Sequence, residues 1–168
     1  MQTRKLVLIR HAQAADGPVD IDRPLTEQGL RQAAAIGPWL ERNGLVPGAV
    51  LVSPARRAQQ TWDRAAAPLE PAPTPTVDAR VLDNTVEAVL AAVRETPEEV
   101  ETLAVVGHNP AVRELVEFLD DGQGDPAARR TLDTSFPTCG VAVLDLATPF
   151  ADVAPGAATL SVFAVPGD

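Results

Sequence analysis

Two histidines are all that this chain of 168 residues contains, His11 and His108. Each comes straight after a short apolar run: Leu6–Ile9 leads through Arg10 into His11, and Leu103–Val106 leads through Gly107 into His108. A third apolar run, Ala49–Val52, leads into Ser53, Pro54 and the pair Arg56–Arg57. Imidazole and guanidinium groups gathered at strand ends suit phosphoryl chemistry. A guanidinium presents a planar fork that matches phosphate oxygens, and a neutral imidazole can attack phosphorus. Neighbouring arginines disfavour imidazolium, which keeps His11 neutral and reactive near pH 7. The first strand then aims a nucleophile, and Arg10 beside it holds the phosphoryl group.

Rival chemistries lack parts. A zinc site needs three or four ligands, and no His-rich helix or Cys pair is present to complete one. Adjacent guanidinium groups would also repel a dication. A Ser-His-Asp triad built on Ser53 lacks the Gly-x-Ser-x-Gly elbow that exposes such a nucleophile. No metal and no other cofactor is therefore expected.

The elements that must position these groups are legible from periodicity. "KLVLIR" (5–10) reads as a buried strand, followed by a polar loop over 12–24. Thr26 caps a predicted helix whose inner face is Leu30, Ala33, Ala34, Gly37 and Leu40, with a kink at Gly37–Pro38 and Gly44 as its C-terminal stop. Ala49–Val52 is a second strand. Ser53 is expected as an N-cap, with Pro54 opening a helix whose buried face is Ala58, Thr61, Trp62, Ala65 and Leu69. A Pro-rich loop over 68–76 leads to a short strand around 77–82. A helix then carries Val86, Val89, Leu90 and Val93 and stops before Thr96–Pro97. Leu103–Val106 is a further buried strand. Asn109 is expected to cap, and Pro110 to open, a helix with the stripe Val112, Leu115, Val116 and Leu119. "CGVAVLDL" and "TLSVFAV" read as two last strands, the latter suited to a sheet edge.

Repeated strand–helix alternation predicts an α/β fold, a three-layer α/β/α sandwich. Its central sheet is mostly parallel, with helices on both faces. One domain over residues 1–168 is expected from the length. In open parallel sheets ligands bind beyond the carboxyl ends of the strands, where both histidines fall. The helix starts at Ser53–Pro54 and Asn109–Pro110 would add backbone N–H groups for an anion, making Ser53 and Asn109 candidate substrate-binding residues.

Charge and composition narrow the partners. The net charge of −9 disfavours nucleic acid, so any anion must be held by a local cationic cluster. The apolar run behind Arg4 and Lys5 is too short for a signal peptide, and nothing approaches a membrane span. A cytoplasmic protein with no membrane partner is expected. The single cysteine, Cys139, fits a reducing compartment and a small buried position.

Four blocks, "LVLIRHAQA", "RPLTEQG", "LVSPARRAQQT" and "VVGHNP", together resemble the histidine phosphatase superfamily, in particular its small SixA-like phosphohistidine phosphatase branch. The resemblance runs from about Lys5 to Leu119 and, more weakly, through the last strands. It implies that His11 attacks phosphorus and becomes transiently phosphorylated, while Arg10, Arg57 and His108 bind the phosphoryl oxygens and Arg23 adds a further ligand. It selects Arg57, which directly precedes Ala58, over Arg56. Two departures stand out: Ala12 follows Arg-His where many members have Gly, and no general acid is evident. Asp20, Asp22, Asp83 and Glu87 are the candidates. An imidazole leaves phosphorus with less help than an alkoxide, so the resemblance implies a metal-independent phosphatase acting on phosphohistidine in a protein partner. The alternatives are a small phosphomonoester substrate, or a phosphate-binding module without turnover.

Overall fold

The structure, a computed structural model, describes residues 3–167. Six strands form one sheet: β1 (Arg4–Arg10), β2 (Ala49–Val52), β3 (Thr76–Val77), β4 (Thr102–Gly107), β5 (Val141–Leu146) and β6 (Ala158–Ala164), in the order β3-β2-β4-β1-β5-β6. β3, β2, β4 and β1 run parallel to their neighbours, while β5 pairs antiparallel with both β1 and β6. Seven α-helices accompany them among the described residues: α1 (Glu27–Ala34), α2 (Ile36–Arg42), α3 (Arg56–Ala66), α4 (Ala79–Asp83), α5 (Val86–Arg94), α6 (Ala111–Leu119) and α7 (Pro126–Thr134).

The pleat divides the core in two. Leu6 and Leu8 of β1 pack with Leu103, Val105 and the buried sides of α5, α6 and α7. Val7 and Ile9 pack on the other face with Val50, Val52, Ala33, Ile36 and Trp62 of α1–α3. The central strands are apolar on both faces because helices cover both. This is the expected three-layer α/β/α arrangement, with β6 at the sheet edge as its alternating pattern implied. No helix among the described residues is long and apolar enough to cross a membrane.

The local departures have identifiable causes. The first helix is interrupted at Ala35 rather than kinked at Gly37, giving α1 and α2. Pro38 thereby falls within the first turn of α2, where its missing N–H costs nothing. The break also rotates the inner face, so that Ala34 is exposed and Ile36 is buried instead. Gly37 has a packing role: a Cβ there would lie 2.1 Å from the Ala65 carbonyl oxygen of α3. Thr26 caps α1 as expected, accepting from the Gly29 N–H at 2.9 Å, and Gly44 closes α2 at φ +67°.

The strand expected around 77–82 reduces to Thr76–Val77, because Asp78 accepts the Arg80 N–H at 2.9 Å and starts α4. Ser53 does not occupy the N-cap of α3. Ala55 does, and the helix begins at Arg56. Likewise α6 begins after Pro110, and the amide side chain of Asn84 accepts the Ala111 N–H that Asn109 was expected to serve. Helix α7 was not anticipated; it turns only Ala128 and Leu132 fully inward.

Candidate active site

Register alone brings the two histidines together. Arg10 of β1 is paired with Gly107 of β4, so His11 and His108 each stand one residue beyond a matched pair on parallel neighbours. The His11 N–H bonds to the Gly107 carbonyl at 3.0 Å, and the ring centroids lie 5.2 Å apart. On the other side of β4, the Ser53 N–H bonds to the Val106 carbonyl at 3.1 Å, which fixes the turn leading to Arg57 at the same edge. A cavity of about 300 Å³ opens there, lined by Arg10, His11, Asp20, Arg23, Arg57, Leu82, Asn84, His108 and Asn109.

Arg57 is 8% exposed and reaches the cavity from the first turn of α3, whereas Arg56 faces solvent. The residue before Ala58 is thus the one that turns inward. Its guanidinium donates to the Asp20 carbonyl at 2.9 Å and pairs with the Asp20 carboxylate at 3.3 Å. Arg23 donates to the Ala15 carbonyl at 2.9 Å and pairs with the same carboxylate at 3.0 Å. Arg10 donates to the Phe136 carbonyl at 3.0 Å, and the Asn109 amide donates to that oxygen at 2.9 Å.

The loop after β1 is stapled around His11. The Ala12 N–H bonds to Thr61 Oγ at 3.0 Å, and the Thr61 hydroxyl bonds to the Arg57 carbonyl at 2.7 Å. His11 Nδ1 lies 2.7 Å from the Ala12 carbonyl oxygen. A carbonyl only accepts, so Nδ1 carries the proton and the lone pair of the neutral ring is on Nε2. Burial, reinforced by the charges of Arg57, Arg10 and Arg23, lowers the His11 pKa to about 4 despite the opposing bond to Ala12. Burial lowers that of His108 to about 3, with further contributions from His11 and Arg57. Both rings are therefore neutral at pH 7.

Of the four candidate acids, only Asp20 lines the cavity. Its side chain is 67% exposed at the mouth, and its bond to Arg23, followed by the charge of Arg57, holds its carboxyl below the usual range. Asp22 lines a neighbouring cleft of about 400 Å³ with Ile21, Pro54, Arg56, Gln59, Gln60 and Asp63. Asp83 and Glu87 are exposed and line neither. Ser53 is completely buried and bonds to His108 Nε2 at 2.8 Å, so it lies behind the histidine rather than in the cavity. Asn109 lines the cavity.

Sequence reasoning missed Asn84 and the Phe136 carbonyl. Asn84 adopts φ +62°, donates to the Asn109 carbonyl at 2.7 Å and accepts from Ala111, so it pins the start of α6. Its signal was chemical, since asparagine is among the few residues that accept the left-handed region readily. A backbone carbonyl leaves no trace in residue type.

Five buried side-chain polar atoms lack a partner among the described residues. Three of them, Arg10 Nε, His108 Nδ1 and Asn109 Oδ1, belong to residues lining this one cavity. Buried polar groups are ordinarily satisfied. Their concentration here, beside three arginines, fits a site whose ligand is an anion.

The model of the Histidine phosphatase superfamily (branch 1) matches residues 6–81. An uncharacterised protein of Mycobacterium tuberculosis is 39% identical over 94% of this chain and 99% of its own. The phosphohistidine phosphatase SixA of Escherichia coli is 30% identical over 73% of this chain and 78% of its own. A structure from Nakamurella multipartitia assigned to SixA superposes with a TM-score of 0.86 at 30% identity, covering 98% of this chain and 96% of that one. The chain belongs to the histidine phosphatase superfamily, in its SixA-like branch.

Proposed function

We propose that this phosphatase removes the phosphoryl group from phosphohistidine on a protein, through a covalent intermediate on His11. The observation that carries the reading is a neutral His11 whose Nε2 lone pair is unengaged in a cavity shared with three arginines. Nε2 attacks phosphorus in line. The N–P bond forms as the bond to the leaving nitrogen breaks. Arg10, Arg57 and His108 bind the phosphoryl oxygens and stabilise the charge they carry in the transition state, with Arg23 at the mouth. Phospho-His11 retains its Nδ1–H on the Ala12 carbonyl, which stabilises the positive charge that develops on the ring. Water then attacks phosphorus, the N–P electron pair returns to Nε2, and phosphate departs. No step calls for a metal.

The leaving group decides the substrate class. Asp20 is the only carboxylate among the described residues that line the cavity, and its bonds to Arg23 and Arg57 hold its carboxyl below the usual range. It therefore has no proton for an alkoxide. A phosphoimidazole protonated on its second nitrogen leaves as neutral imidazole and needs none. The exposed mouth and the adjoining cleft beside Arg56 suit a substrate side chain presented on a protein surface. The E. coli relative's name, phosphohistidine phosphatase, points the same way.

Two measurements test the reading. Acid-sensitive phosphate should be trapped on the wild-type chain during turnover and be missing from His11→Ala. A histidine-phosphorylated protein should have a higher kcat/KM than a sugar phosphate or p-nitrophenyl phosphate, and the reverse order would identify a metabolite phosphatase. A chain that binds orthophosphate but traps no phosphoenzyme would be a binding module instead.

A further inference from the structure

Ser53 is completely buried, two residues ahead of the N-cap of α3, and its hydroxyl has two neighbours. The Ala55 N–H donates to Ser53 Oγ at 3.1 Å, and His108 Nε2 lies 2.8 Å from the same oxygen. A hydroxyl has one proton to give and two lone pairs to receive. One lone pair is taken by Ala55, which can only donate. If His108 Nε2 also carried a proton, the Ser53 proton would have no acceptor in either neighbour and would be buried unsatisfied. The arrangement that satisfies both the Ser53 hydroxyl and His108 Nε2 has Ser53 donating to a bare Nε2. Neutral His108 must then carry its proton on Nδ1, the ring atom that is buried and without a partner.

We propose that Ser53 is a positioning residue: by donating to His108 Nε2 it fixes the Nδ1–H tautomer and so makes an uncharged imidazole a hydrogen-bond donor to the bound oxyanion. The inference rests on the function proposed above for its second half only, since the tautomer is set within the chain itself. It also resolves a difficulty. A histidine that binds an anion is easily pictured as imidazolium, but His108 sits 5.2 Å from the His11 ring and beside Arg57 and Arg10, where a further positive charge is disfavoured. Asp20 alone opposes that trend. Ser53 allows His108 to donate without being charged, and without adding to the field that already keeps His11 neutral. The two rings thus hold the same tautomer for opposite ends. His11 uses the Ala12 carbonyl to free a lone pair at Nε2, and His108 uses the Ser53 hydroxyl to free a donor at Nδ1. Free histidine in water prefers the other tautomer, so the outcome is not a default.

With only two histidines, the chain suits direct observation of the ring nitrogens. Long-range proton–nitrogen NMR on the 15N-histidine-labelled, untagged protein at pH 7.5, assigned with His11→Asn, should show His108 protonated at Nδ1 and bare at Nε2. Adding orthophosphate should shift the His108 Nδ1 resonance while Nε2 keeps its bare character. In Ser53→Ala the ring should lose this fixed state and show Nε2–H. kcat/KM should fall roughly 10-fold, the scale of one hydrogen bond, and Ser53→Cys or Ser53→Thr should recover part of the Nδ1–H population. Wild-type His108 protonated at Nε2 at pH 7.5 overturns the proposal whether or not any variant folds. Nδ1–H present but unmoved by saturating orthophosphate overturns its donor role. Failure to trap phospho-His11 with these resonances as expected would instead strike at the proposed reaction.

Discussion

At the scale of single residues, the site is a balance between arginines that attract a phosphoryl group and a carboxylate that answers them first. Arg57 and Arg23 both pair with Asp20. A phosphate dianion must share those guanidinium groups with it or displace it. Asp20→Asn removes the competing charge, so KM for a phosphohistidine protein should fall while kcat is held. A loss in kcat of about 10²-fold or more, the scale of general acid catalysis, would mark Asp20 as the proton donor instead. The neighbouring arginines give the sharper contrast. Arg57→Ala should reduce kcat/KM on the order of 10²–10³-fold, as expected for removal of a preorganised charge stabiliser. Arg56→Ala, one position away but facing solvent, should leave turnover of p-nitrophenyl phosphate near wild type, and comparable losses in the two would show that the inward residue had been misidentified. The sequence signalled His11, His108 and Arg10 because such side chains are uncommon at the ends of apolar strands, whereas Arg57 was distinguished from Arg56 only by the family resemblance. Ser53 was misjudged as a cap because residue type reveals a hydroxyl near a helix start but not its second neighbour. That neighbour, His108, lies 55 positions along the chain.

At the scale of elements, His11, the proposed nucleophile, is held by a helix it does not belong to. The Ala12 peptide has both ends engaged: its N–H goes to Thr61 of α3, and its carbonyl receives the His11 ring. Thr61 passes the connection on to the Arg57 carbonyl one helical turn earlier. Strand β1 and helix α3 therefore deliver His11 and Arg57 as one assembly. Thr61→Val keeps the shape but leaves a buried N–H unpaired, at a cost of ~1–3 kcal/mol. Tm should fall by roughly 2–10 °C for a domain of this size, and kcat should fall with it as the Ala12 carbonyl loses its fixed place. An unchanged Tm would show that the loop has a support other than Thr61. Gly29 guards the same loop from α1, where a Cβ would come 2.0 Å from the Gln13 carbonyl oxygen. Long periodic elements such as α3 and α6 were legible because five residues of each are buried at helical spacing. α7 was not, because only two of its residues turn fully inward. The segment 77–82 deceived for another reason: its apolar residues suited a strand, but Asp78 and its ion pair with Arg80 favour a helix start.

At the scale of the molecule, acid should act through the two imidazoles before it acts on the carboxylates. The folded pKa values of His11 and His108, about 4 and about 3, lie below the ordinary value of 6.5 that the unfolded chain regains. Above pH 6.5 both states are neutral at these positions and neither ring affects stability. Below it the unfolded chain takes up protons that the fold refuses, so stability is lost progressively from about pH 6.5 down to the folded values. Net charge works in the opposite direction. The chain carries −9 at pH 7 and approaches neutrality at its pI near 4.6, so acidification relieves self-repulsion over the same interval. A decline between pH 6.5 and 5 therefore cannot come from overall charge, and it precedes the range where Asp20, Asp78, Glu95 and Asp121, all with lowered pKa values, begin to protonate. Urea midpoints should fall from pH 7 to pH 5. The fall should be shallower in His11→Asn, which removes one of the two refused protons. It should also be shallower with saturating orthophosphate, because a bound dianion favours imidazolium and raises both folded values toward the unfolded one. A dependence no shallower in His11→Asn than in the wild-type chain, where net-charge relief is nearly the same, would mean that His11 takes up its proton in the folded state as easily as in water, against the lowered pKa that its burial implies.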